Sequence, residues 1–84
     1  MGPVLISVHV RFEVDWTRPD WIEDELIRGG ARDAHMIQGD DVAVTVAARS
    51  RAEANQLVEA LLARVGATAV EILKHEPALS SSRS

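Results

Sequence analysis

The sequence predicts an α+β domain in which two helices cover one face of a four-stranded antiparallel sheet. Three observations predict it. Near the N-terminus Val4, Ile6, Val8, Val10, Phe12 and Val14 alternate with Leu5, Ser7, His9, Arg11 and Glu13, a period of two over eleven positions. Such a run is a strand with one face on a core and the other toward water or a partner. Two later segments carry helix start and stop signals, and two further alternating runs follow a turn and a helix. The resulting order is strand, helix, strand, strand, helix, strand.

The first strand is expected over Val4 to Val14. Thr17 then reads as an N-cap, with Asp20 three residues on as a variant of the capping box. Trp16 and Trp21 fall at the two positions of a hydrophobic staple, and Pro19 sits in the first turn, where its missing N–H does no harm. Trp21, Ile22, Leu26 and Ile27 supply the apolar side of helix one, and Gly29-Gly30 ends it. Strand two is expected at about Arg32 to Gln38, followed by a turn at Gly39-Asp40-Asp41.

The register of strand two depends on that turn. A two-residue loop at Gly39-Asp40 suits a type II′ turn, pairs Ile37 with Val42 and His35 with Val44, and turns both inward. A three-residue loop would instead turn Met36 and Ala34 inward. The sequence favours the two-residue loop. Strand three follows, with Val42, Val44, Val46 and Ala48 alternating against Ala43, Thr45 and Ala47.

Ser50 to Glu53 is a full capping box, and Ala54, Leu57, Val58, Leu61, Leu62 and Val65 then recur at helical spacing before Gly66. Strand four is expected at about Thr68 to Lys74, with Val70 and Ile72 on one face and Ala69, Glu71 and Leu73 on the other. Residues 1–77 therefore make one domain, and the serine-rich stretch 78–84 is expected to be a disordered tail. The order βαββαβ is the ferredoxin-like arrangement, in which strands one and three are central. The expected core contains Val8, Val10, Val44, Val46, Leu57, Leu61 and Ile72.

Composition narrows the function classes. Eighty-four residues allow one small core. There is no cysteine, so no disulfide or thiolate metal site can form. A net charge of −4 argues against a polyanionic partner. No apolar run approaches the about 20 residues of a membrane span, and no leader pattern is present, so the cytoplasm is the expected compartment.

If the even-numbered valines face the helices, the other sheet face carries Leu5, Ser7, His9, Arg11 and Glu13 at its centre. Ala43, Thr45 and Ala47 flank them on one side, and Ala69, Glu71 and Leu73 on the other. Small side chains let a second layer approach closely. Leu5, Ser7, His9, Arg11, Glu13, Thr45 and Leu73 are the expected interface of a homodimer. Nucleic acid is not an expected partner, because no outward strand aromatic is available for base stacking and the charge has the wrong sign.

Asp15, Trp16, Thr17 and Trp21 form a candidate ligand loop beside the amides of a helix N-terminus. Ligand-binding domains of the ACT type resemble this chain in topology and bind near the corresponding loop. Their loop usually carries glycine, and this one reads Val-Asp-Trp-Thr-Arg-Pro-Asp-Trp. The staple explains both tryptophans without a ligand.

The acidic run Glu13, Asp15, Asp20, Glu23, Asp24 and Glu25 suits the positive end of a helix dipole better than a cation, since helix residues 23 to 25 point in different directions. His9, His35 and His75 have no metal-ligand spacing, and no cofactor motif or catalytic set is present. His9 is the one histidine with charged residues, Arg11 and Glu13, on its own face.

The sequence therefore favours a non-catalytic module that self-associates through its open sheet face. An ACT-like small-molecule-binding regulatory domain is the first alternative. A small dimeric enzyme using His9 as acid or base is the second.

Overall fold

A computed structural model describes residues 2–14 and 22–77. These form β1 (Val4–Val14), α1 (Ile22–Arg28), β2 (Asp33–Gln38), β3 (Asp41–Ala48), α2 (Arg51–Arg64) and β4 (Ala67–Pro77). The Thr17 cap, the tryptophan staple, the Asp15–Trp21 loop and the 78–84 tail all lie outside the described residues. The strands make one antiparallel sheet in the order β2-β3-β1-β4. The architecture is α+β, and the strand order and helix number fit a ferredoxin-like arrangement.

β1 does what its alternation requires. Ile6, Val8, Val10 and Phe12 are buried, and each faces an apolar partner on β3 or β4. β3 answers with Val42, Val44, Val46 and Ala48, all buried. Ile22 and Leu26 of α1 and Ala54, Val58, Leu61 and Leu62 of α2 join them in one core cluster. Burying a Val or Leu side chain is worth about 1.5–3 kcal/mol. Among the described residues Phe12 is the one aromatic in the core, and the other buried side chains there are aliphatic.

Both helix ends are well specified. Ser50 Oγ accepts from the Glu53 N–H at 3.1 Å, as the capping box requires. The Glu53 carboxylate reaches one residue further back than expected and accepts from the Arg49 N–H at 2.7 Å. At the end of α1 the Ala31 N–H bonds the Leu26 carbonyl and the Gly30 N–H bonds that of Ile27. This is a Schellman motif, with Gly30 at φ 126° in the position that disfavours a side chain.

Four expectations about facing are corrected. Leu57 is 39% exposed rather than in the core. At 100° per residue it lies about 90° from the middle of the arc defined by Ala54, Val58, Leu61, Leu62 and Val65. Ile27 of α1 is likewise exposed.

In β2 the two-residue loop forms: Gln38 pairs with Asp41, and Gly39 has φ 55° while Asp40 keeps a negative φ. A shift at Ile37 then reverses the expected facing. Met36 pairs with Val42 and Ala34 with Val44, while His35 and Ile37 are exposed. A bulge inserts one unpaired residue and so flips everything beyond it. The outcome spares the His35 imidazole the cost of burial.

β4 has two such shifts, at Val70 and Leu73. They place Ala69 opposite Phe12, against the core, and leave Val70 exposed, the reverse of the simple alternation. Ile72 does pack against the core, opposite Val10.

One close approach holds the two helices together. A Cβ on Gly29 would sit 2.7 Å from Leu61 Cδ2 and 2.8 Å from Arg64 Nε. Leu61→Ala should destabilise by about 2–5 kcal/mol as a large-to-small change in the core. Gly29→Ala should cost about 1–3 kcal/mol by overpacking. Urea unfolding should show a smaller cost for Gly29→Ala on the Leu61→Ala background. Additive losses would show that the contact with Leu61 is not what excludes a side chain at Gly29.

Candidate functional site: the open face of the sheet

The face away from the core is set by the odd-numbered residues of β1 and β3. Ser7 lies opposite Thr45 and Glu76, His9 opposite Ala43 and Lys74, and Arg11 opposite Asp41 and Glu71. Leu5 pairs with Ala47, and Glu13 with Thr68. β2 adds Asp33 opposite Thr45 and His35 opposite Ala43. Of the expected interface, Leu5, Ser7, His9, Arg11, Glu13 and Thr45 thus fall on this surface. Leu73 falls in a β4 irregularity and has no partner in register.

The middle of the face is low. Ala43 is 2% and Thr45 8% exposed although no helix covers them. Ala43 lies between His9 and His35, and Thr45 between Ser7 and Asp33.

The rim is charged and internally paired. Arg11 Nε lies 3.2 Å from Asp41 Oδ1, and Arg11 Nη1 lies 3.6 Å from Glu71 Oε1. Glu76 meets Lys74 Nζ at 3.2 Å and His9 Nε2 at 3.3 Å. His35 Nδ1 stands 3.9 Å from Asp33 Oδ2. Register explains these groupings: cross-strand neighbours on one face lie within reach of long side chains. The sequence alone could not foresee the Glu76 pairings, because a bulge at Leu73 was needed to bring Lys74 and Glu76 onto the same face as His9.

His9 and His75 do not meet. His75 lies opposite Val8, on the helix side, and its Nε2 is 2.6 Å from Asn55 Oδ1 of α2. Of the acidic run, Glu23 has a structural task, accepting from the Met36 N–H at 2.6 Å and so tying α1 to the bulged part of β2. Among the described residues no group of three or more His, Asp or Glu side chains is placed to hold a metal ion.

The Glu76 carboxyl is held below its usual value, first by a hydrogen bond from Lys74, then by the charge of Lys74 and by His9. A depressed carboxylate contributes stability above its unfolded pKa and loses it as pH falls through the folded value. Glu76 is exposed to solvent, so screening keeps that contribution small. Lys74→Met should return the Glu76 titration upward toward the ordinary carboxylate range in an NMR pH series. An unmoved titration would show that Lys74 is not its cause.

No helix of the described residues is long and apolar enough to cross a membrane. No protein-family model, no curated protein and no solved structure matches this chain.

Proposed function

We propose that this chain is a ferredoxin-like βαββαβ domain acting as a non-catalytic interaction module that self-associates through its open sheet face. The observation that carries the reading is the low floor of Ser7, Ala43, Thr45 and Ala47 set between charged rims. Ser7, Ala43, Thr45 and Ala47 are short, so a second surface can come close to the sheet between the longer His9, Arg11 and His35 side chains. The rims do not oppose this as strongly as their formal charge suggests. Asp41 and Glu71 share Arg11, and Glu76 has Lys74.

The edges of the sheet support the same direction of assembly. Both outer strands carry irregularities, at Ile37 in β2 and at Val70 and Leu73 in β4. Bulged edges resist pairing with another strand. An isologous dimer stacks two sheets face to face, and two-fold assemblies of this kind are the commonest closed ones.

Ser7→Asp places a charge on the floor beside Thr45. It should convert dimer to monomer in sedimentation equilibrium while leaving the circular dichroism spectrum unchanged. A wild-type chain that sediments as a monomer at high micromolar concentration would refute self-association.

A further inference from the structure

A second surface feature lies toward the helix side and shares only Ala47 with the floor of that face. Gly29, Arg32, Val46, Leu57, Leu61 and Arg64 line a cleft of about 380 Å³ between the end of α1, the start of β2 and one side of α2. Its size falls within the roughly 300–1,000 Å³ range of small-molecule sites. Its walls are apolar where Val46, Leu57 and Leu61 stand, and Leu57 is the residue that the helical stripe predicted to be inside.

Charge distinguishes this cleft. In a chain of net charge −4, it is lined by two arginines and by no carboxylate. Among the described residues, neither Arg32 nor Arg64 makes an ion pair. A neighbouring cleft of about 410 Å³ takes Arg51, but Glu76 stands in its wall. Arg64 is also positioned: its Nε would lie 2.8 Å from a Cβ on Gly29, so the absence of a side chain there admits the guanidinium to the cleft wall.

We infer that this cleft binds a small amphipathic carboxylate, with the acid group on Arg32 and Arg64 and an aliphatic tail over Leu57, Val46 and Leu61. Guanidinium is planar and weakly hydrated, and it pairs with carboxylate through two parallel hydrogen bonds. The apolar wall covers the tail and removes the exposed Leu57 side chain from water.

Decanoate, kept below its micelle-forming concentration, is the probe. Decanol and acetate are the uncharged and tail-less controls. In two-dimensional NMR of the full chain, decanoate should shift the Gly29 and Gly30 amides and the Leu57 methyls saturably. R32Q/R64Q should weaken that binding by at least about tenfold, the scale of one lost charge-assisted hydrogen bond. Decanol and acetate should each bind more weakly by a comparable factor. Both arginines are exposed and unpaired, so the double variant should keep the wild-type signal dispersion. Should it not, Leu57→Ser alone must weaken decanoate. Equal binding of decanol, unweakened binding by the variants, shifts centred outside the cleft or no shifts at all would each overturn the assignment. Sedimentation of the same samples reports self-association separately, so the two proposals fail independently.

Discussion

Everything in this fold hangs on β1. Among the described residues it has the two longest pairings, to β3 through eight positions and to β4 through nine. Its even residues are the middle of the core, and its odd residues are the middle of the open face. A slip of one position against β3 would send Val8 and Val10 to solvent and bury His9 and Arg11. The loss of apolar burial and the desolvation of an arginine act together, so the register is strongly fixed.

This explains which parts of the molecule were legible in the sequence. β1, β3 and α2 carry unbroken periodicities, and their positions emerged close to the expected ones. The outer strands did not yield to the same reasoning. In β2 the turn was read correctly from Gly39-Asp40, yet the irregularity at Ile37 reversed the facing of His35 and Met36. In β4 two irregularities moved Ala69 inward and Val70 outward. A bulge leaves no mark in a pattern of apolar and polar residues. It is selected by what the finished packing can bury. His35 offers one local hint, since an imidazole gains little from facing a wall of valines.

The same irregularities shape how the molecule can meet others. A four-stranded sheet has two exposed edges and, with its helices on one side, one exposed face. At the edges, Ile37, Val70 and Leu73 break the regular ladder that another strand would need. The face keeps a regular register through Ser7, His9 and Arg11 on the β3 side. Local twisting at the rims and order at the centre leave face-to-face stacking as the assembly that the backbone obstructs least.

The cations divide into two kinds, and the division follows geometry rather than composition. Arg11 and Lys74 sit where strand register brings carboxylates within 3.2–3.6 Å. Their charge is spent inside the chain, which makes the open face approachable by a second surface of the same kind. Arg32 and Arg64 sit where two helix ends and a strand start converge, and among the described residues neither has an acidic partner. An unpaired guanidinium in water costs nothing by itself, because solvent satisfies it. Two beside an apolar wall differ in one respect. A ligand that covers the wall must also displace water from the arginines, and only an anionic head replaces those lost hydrogen bonds. The wall selects for a tail and the arginines select for an acid, so the two requirements converge on one class of molecule.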